Sequence, residues 1–253
     1  MADSAWIPGL ASAVSDTRNT PRHSAVVRVT HWVTALSFFA LLVTGIEMII
    51  PHPRFYWGET GNVLTPSLFD LPIPASRGSV KTGYKFVLAD QNGWSRSLHF
   101  QAGWLAVLTG CLYAVSGLLT GHFRKNLLPA RADLSRRVLS SAISDHLRFK
   151  PPDGADTWSY NVLQRLTYLF VIFGLFPLMI WTGLGMSPAF TSAFPVTVTV
   201  FGGQQSARTV HFFGFLFLGL FLLVHIVMVW RAGFRGRMRA MIAGRAATDK
   251  EQP

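Results

Sequence analysis

His211 and His225 stand 14 residues apart within one apolar stretch. Fourteen residues at about 100° each make close to four helical turns, so both imidazoles face one way, roughly 21 Å apart along the axis. Ligands stacked in that manner could hold two flat metal-bearing groups, one near each face of a bilayer. His31 and His99 lie in other apolar stretches and could complete two pairs. A lone intramembrane histidine is as readily explained by a hydrogen bond to a neighbouring helix. Four of them at matched depths favour ligands.

The elements that would position them follow from composition. Of 253 residues, 50% are hydrophobic and 14% charged, against about 25% charged in an ordinary soluble domain. Four apolar runs, roughly 31–50, 98–120, 162–186 and 209–230, are long enough to cross a hydrocarbon core as helices. The expectation is an all-α membrane protein, a four-transmembrane-helix bundle. It has a lead-in at 1–25, a membrane domain at 26–232 with an outer loop at 51–97 and an inner loop at 121–159, and a basic tail at 233–253. Pro177 lies midway along the third run and predicts a kink near Gly174–Pro177. The first 25 residues lack the apolar core of a cleavable signal peptide. Cys111, the single cysteine, reads as a small packing residue.

The net charge of +11 is unevenly placed. Sixteen Lys and Arg lie in the N-terminal segment, the 121–159 loop and the tail, against six in the 51–97 loop and before the fourth run. The positive-inside rule makes both termini cytoplasmic. The basic excess is then a topology signal, and nucleic acid is a poor partner for it.

Topology sets depth. His31 opens a helix running outward and His99 one running inward. His211 opens another inward helix, with His225 deeper along it. His99 and His211 therefore share the outer level, and His31 and His225 the inner. Zinc would need further ligands, and Glu47 is the only acidic or thiol group near these depths. Haem takes two axial ligands and otherwise needs apolar walls. With no Cys-x-x-Cys-His sequence, two such haems would be of the non-covalent b type.

Neighbouring residues have two readings each. Gly45 lies 14 residues past His31 and Gly117 18 past His99. Both could let a macrocycle approach the backbone, or simply let helices pack closely. Arg28 and Arg208 precede His31 and His211 by three residues; they could pair with haem propionates or mark the interface. His23, His52, His122 and His146 read as solvated or interfacial, with His122 the best exception.

The segments Arg28-x-x-His31-Trp32, Thr44-Gly45, His99-Phe100-x-x-Gly103 and the His211/His225 pair resemble the four-helix dihaem cytochrome b subunits. These include the bacterial cytochrome b561 group, the γ subunit of membrane formate dehydrogenase and the cytochrome b subunit of nickel–iron hydrogenases. The likeness covers roughly residues 22–235. The outer loop and Ser144–Arg148 look like the subgroup labelled thiosulfate reductase cytochrome b subunit. Tyr160-Asn161-x-x-Gln164-Arg165 is similar to a formate dehydrogenase γ motif that contributes to a quinone pocket. On spacing alone Tyr160 and Asn161 serve equally as an interfacial tyrosine and a helix cap.

The resemblance implies a multi-pass protein of the bacterial inner membrane. It would pass electrons between a periplasmic redox subunit (a molybdopterin enzyme or c-type cytochrome) and membrane quinone. Two alternatives stay open: a stand-alone dihaem superoxide:quinone oxidoreductase, and a non-redox membrane anchor.

Overall fold

A computed structural model describes residues 23–62, 64–73, 93–148 and 162–244. Tyr160, Asn161, Arg77, Lys81, Lys85 and most of the 1–25 lead-in lie outside the described residues. Four helical stretches are long and apolar enough to cross a membrane. The first is α1 (Ala25–Ile49), capped by Ser24, whose hydroxyl accepts from the Val27 amide at 3.3 Å. The second is α2 (Trp94–Leu119). After it come a π turn at Phe123–Leu127, a 3-10 turn at Arg131–Leu134 and helix α3 (Arg136–Leu147). The third span joins α4 (Val162–Phe170), a π turn at Val171–Leu175 and α5 (Phe176–Gly185). Short helices α6 (Pro188–Ala193) and α7 (Val196–Thr199) lead into the fourth span, α8 (Gln204–Arg231), followed by α9 (Phe234–Ala243).

Three of the spans start several residues before the apolar runs that announce them, and the third starts with its run at Val162. His31 and His99 consequently sit in the second turn of their helices and His211 in the third, not at the very start. The expected kink takes the form of a π turn directly before Pro177. Proline has no N–H and its ring crowds the preceding turn, and the wider turn accommodates both.

Spans α1 and α2 lie closely along each other, and α5 packs on α8. Small residues make the first contact close. Thr30, Ser37 and Thr44 recur every seven residues on α1, and Ser95, Ala102 and Thr109 do so on α2; all are buried. A core of Val171, Leu175 and Leu218, with Phe38 of α1 against it, ties the third and fourth spans together. Neither α1 nor α2 packs closely along α8 among the described residues. Cys111 faces away from the bundle, contrary to the packing role expected of it.

One end of the bundle carries a cap. Strands β1 (Arg54–Phe55) and β2 (Phe69–Asp70) pair antiparallel, with Phe55 and Phe69 stacked at 4.8 Å. The cap is bolted to the start of α8. The Gly58 carbonyl accepts from the Gln205 and Ser206 amides, and Ser206 Oγ accepts from Gly58 N at 2.7 Å. Glu59 accepts from the Gln204 amide, placing a carboxylate at the helix's positive end. Thr209 donates to the Tyr56 carbonyl at 2.7 Å. Gly203, at φ +133°, lies so close to the Gly58–Glu59 backbone that a side chain would collide with it.

The opposite end holds the first and last described residues and α3. Here the segment read as a basic tail forms α9 and folds back on α1. Arg28 Nη1 donates to the Ile242 carbonyl at 2.8 Å and Trp32 Nε1 to the Met241 carbonyl at 3.1 Å.

Candidate cofactor site between the paired spans

The four candidate histidines meet in two pairs, each joining the α1–α2 hairpin to α8. At the cap end, the His99 and His211 rings have centroids 6.4 Å apart with planes inclined by 58°. At the terminal end, His31 and His225 are 6.3 Å apart and inclined by 48°. One metal between two imidazoles needs about 2 Å for each metal–nitrogen bond and about 1 Å from each nitrogen to its ring centre, a total of about 6 Å. Both pairs match that width. Among the described residues no group of three or more His, Cys, Asp and Glu gathers at either place. The donor set is thus two imidazoles with apolar surroundings, which suits an axially ligated macrocycle.

The cap-end pair is held by two threonines. Thr44 donates its hydroxyl proton to the Ala40 carbonyl at 2.6 Å, and Thr182 donates to the Leu178 carbonyl at 2.7 Å. Thr44 Oγ1 lies 2.8 Å from His99 Nδ1, and Thr182 Oγ1 2.8 Å from His211 Nδ1. Each hydroxyl has already used its proton, so its oxygen accepts from Nδ1–H. The lone pair then sits on Nε2, the atom free to bind a metal. Gly45 and Gly183 follow the two threonines. A β-carbon at either would stand 3.6 Å from the Cε1 of the same histidine, alongside the ring where a flat group would lie. Gly183 was not anticipated, although the repeated Thr-Gly was visible in the sequence.

The terminal-end pair has an aromatic setting. Trp32 meets His31 edge-on at 5.3 Å; Phe221 stacks on His225 at 5.7 Å, and Tyr168 approaches it at 6.5 Å. His31 Nδ1 is buried with no hydrogen-bond partner among the described residues. It therefore lacks the hydroxyl acceptor that each cap-end histidine has.

Other candidates are engaged elsewhere. Arg208 donates to the Arg54 carbonyl at 3.0 Å and to the His52 carbonyl, and its guanidinium lies 4.6 Å from the centre of the Phe55 ring. It therefore fastens the cap to α8, a role its three-residue spacing from His211 did not suggest. Arg28 is turned to the end of α9 in the same way. Gly117 faces the Phe123 ring, where a β-carbon would collide with it, so it allows close packing of the π turn. Gln164 is in the first turn of the third span. His122 follows α2; its Nδ1 accepts from Asn126 at 3.0 Å, its ring lies edge-on to Tyr113, and burial lowers its pKa. It borders a cavity of ≈ 20 Å³ with Ser24, Tyr113, Ser116 and Thr120, room for about one water.

Fold and site together define a multi-pass helical membrane protein with two histidine pairs suited to axial ligation. The model of the prokaryotic cytochrome b561 family matches residues 22–244, and the chain belongs to that family. It is also 28% identical over 207 residues to a putative protein-methionine-sulfoxide reductase subunit, YedZ1, of Azospira oryzae, covering 82% of this chain and 89% of the relative. The protein is accordingly a membrane b-type cytochrome, an electron-transfer subunit.

Proposed function

We propose that this chain carries electrons across the bacterial inner membrane through two b-type haems. His99 and His211 would be the axial ligands of one, and His31 and His225 of the other. The observation that carries this reading is the pair of histidine couples at 6.4 and 6.3 Å, set where α8 faces the α1–α2 hairpin without packing along it. Bound haem would supply one-electron chemistry. Two histidines at each iron leave no open coordination position, which favours electron transfer over activation of a bound substrate.

The charge asymmetry supports a terminal end in the cytoplasm and a cap in the periplasm. The cap is then the face for a redox partner. The YedZ1 relative is named as a putative protein-methionine-sulfoxide reductase subunit, which supports a partner enzyme that consumes electrons; that this partner is a molybdopterin enzyme is what the resemblance implies. Quinone would exchange electrons at the cytoplasmic level, near Gln164 and, by resemblance, Tyr160 and Asn161. The chain's own part is to hold the ligands, exclude water with apolar walls and set each iron's surroundings.

Haem content tests the proposal. Purified protein should contain two haems per chain, and His211→Ala and His225→Ala should each lose one. A single haem in the wild type, or full retention in either variant, would overturn it.

A further inference from the structure

We propose that Thr44 and Thr182 are a matched pair of positioning residues that fix the tautomer of His99 and His211 and lower the reduction potential of the haem those two hold. This rests on the ligand assignment above.

The geometry is closely similar on both sides, with the Met179 carbonyl as a further partner of His211. Each threonine is wholly buried, at 0% exposure. Each is on the helix that precedes its histidine's helix, Thr44 on α1 for His99 on α2, and Thr182 on α5 for His211 on α8. Each uses its proton on the carbonyl four residues back and stands 2.8 Å from Nδ1. Each is followed by a glycine beside the same imidazole. Two unrelated packing accidents would not reproduce all four features. Serving as a second anchor for the helix backbone requires only the carbonyl bond; the histidine bond is additional.

Its chemical consequence has a definite sign. An acceptor at Nδ1–H draws the proton outward and leaves more electron density on Nε2. A more basic ligand stabilises the oxidised, more positive iron, so the potential falls. At the other level His31 Nδ1 has no such acceptor among the described residues. His31 therefore lacks the device that both cap-end histidines have.

The test uses full-length, detergent-purified protein with its haems, titrated potentiometrically while the visible spectrum is recorded. Thr44→Val and Thr182→Val keep side-chain shape and remove the acceptor. One haem's midpoint should rise in each, by enough to increase its reduced-to-oxidised ratio about tenfold, or about 59 mV for one electron. The second midpoint should stay put, and Thr→Ser should restore the first. Unchanged midpoints with full haem content would overturn the proposal. If a valine variant loses its haem, the serine variant decides: haem retained supports positioning through the hydroxyl, haem lost refutes it. Parallel His99→Ala and His211→Ala samples separate the two claims. If these keep both haems, the ligand assignment fails. If they lose one while the valine variants titrate normally, only the threonine proposal fails.

Discussion

The cap-end and terminal-end histidine pairs have nearly the same ring separation but different surroundings. At the cap end every imidazole proton has a buried hydroxyl to accept it, and Arg208 and Thr209 pin the adjoining loop to the same helix. At the terminal end aromatic rings crowd the pair, and a separate helix is hooked on by Arg28 and Trp32. The lesson is that one spacing, repeated through a bundle, can be set in hydrogen bonds at one level and in ring packing at the other. The two levels can then differ in rigidity and potential while sharing ligands of one type.

The sharpest way to break this comparison is to remove one ligand at each level. His211→Ala should abolish the cap-end haem and leave the terminal-end absorption band in place; His31→Ala should do the reverse, as read by reduced-minus-oxidised spectra. Loss of both bands from either variant would mean the levels are not independent.

Next in size is Arg208→Ala. It removes two charge-assisted hydrogen bonds to the cap, a third to Gln205 and a ring contact, a loss of about 2–3 kcal/mol. Limited proteolysis should then cut within residues 52–73 sooner, with haem at the terminal end unaffected. Gly203→Ala forces a side chain into the Gly58–Glu59 backbone and should loosen the same cap by about 1–3 kcal/mol. Thermal unfolding followed by cap proteolysis would check it; unaltered protection would show that the cap is held elsewhere.

Trp32→Phe keeps an aromatic ring, though a smaller one, and deletes the indole bond to Met241. About 1 kcal/mol should go, seen as faster cleavage after Arg235, Arg237 or Arg239 in α9. Smallest of all, Cys111→Ala should change stability by less than about 0.5 kcal/mol, because the thiol faces out of the bundle. Thermal unfolding of the variant checks this, and a loss well above that figure would place the thiol inside the bundle.

The four spans were legible in the sequence because apolar length and period are local signals. So were the two levels, which need only helical spacing and the direction of each span. The partners of the ligands were not. Thr44 and His99 are 55 residues apart and Thr182 and His211 are 29 apart, and no period links them. The hint was the repeated Thr-Gly at 44–45 and 182–183, each one span ahead of a histidine. Arg28, Arg208 and Gly117 were rightly singled out as special, but for contacts that depend on how distant segments fold back: α9, the cap and the π turn after α2. The Arg-rich run 231–239 reads as charge alone in the sequence, whereas Gly233 and Gly244, both at positive φ, bracket Arg235, Arg237 and Arg239 within a helix.

The doubly engaged threonines have a kinetic consequence as well as a thermodynamic one. A hydroxyl that donates to its own helix and accepts from a histidine cannot turn, and the histidine it holds can neither rotate nor exchange its proton between nitrogens. When an iron gains or loses an electron, its ligands would start and finish in the same place. The nuclear rearrangement that must accompany each electron hop is then small at the cap level, as for other preorganised dipoles in dry sites. Speed at the partner-facing step would come from stillness around it.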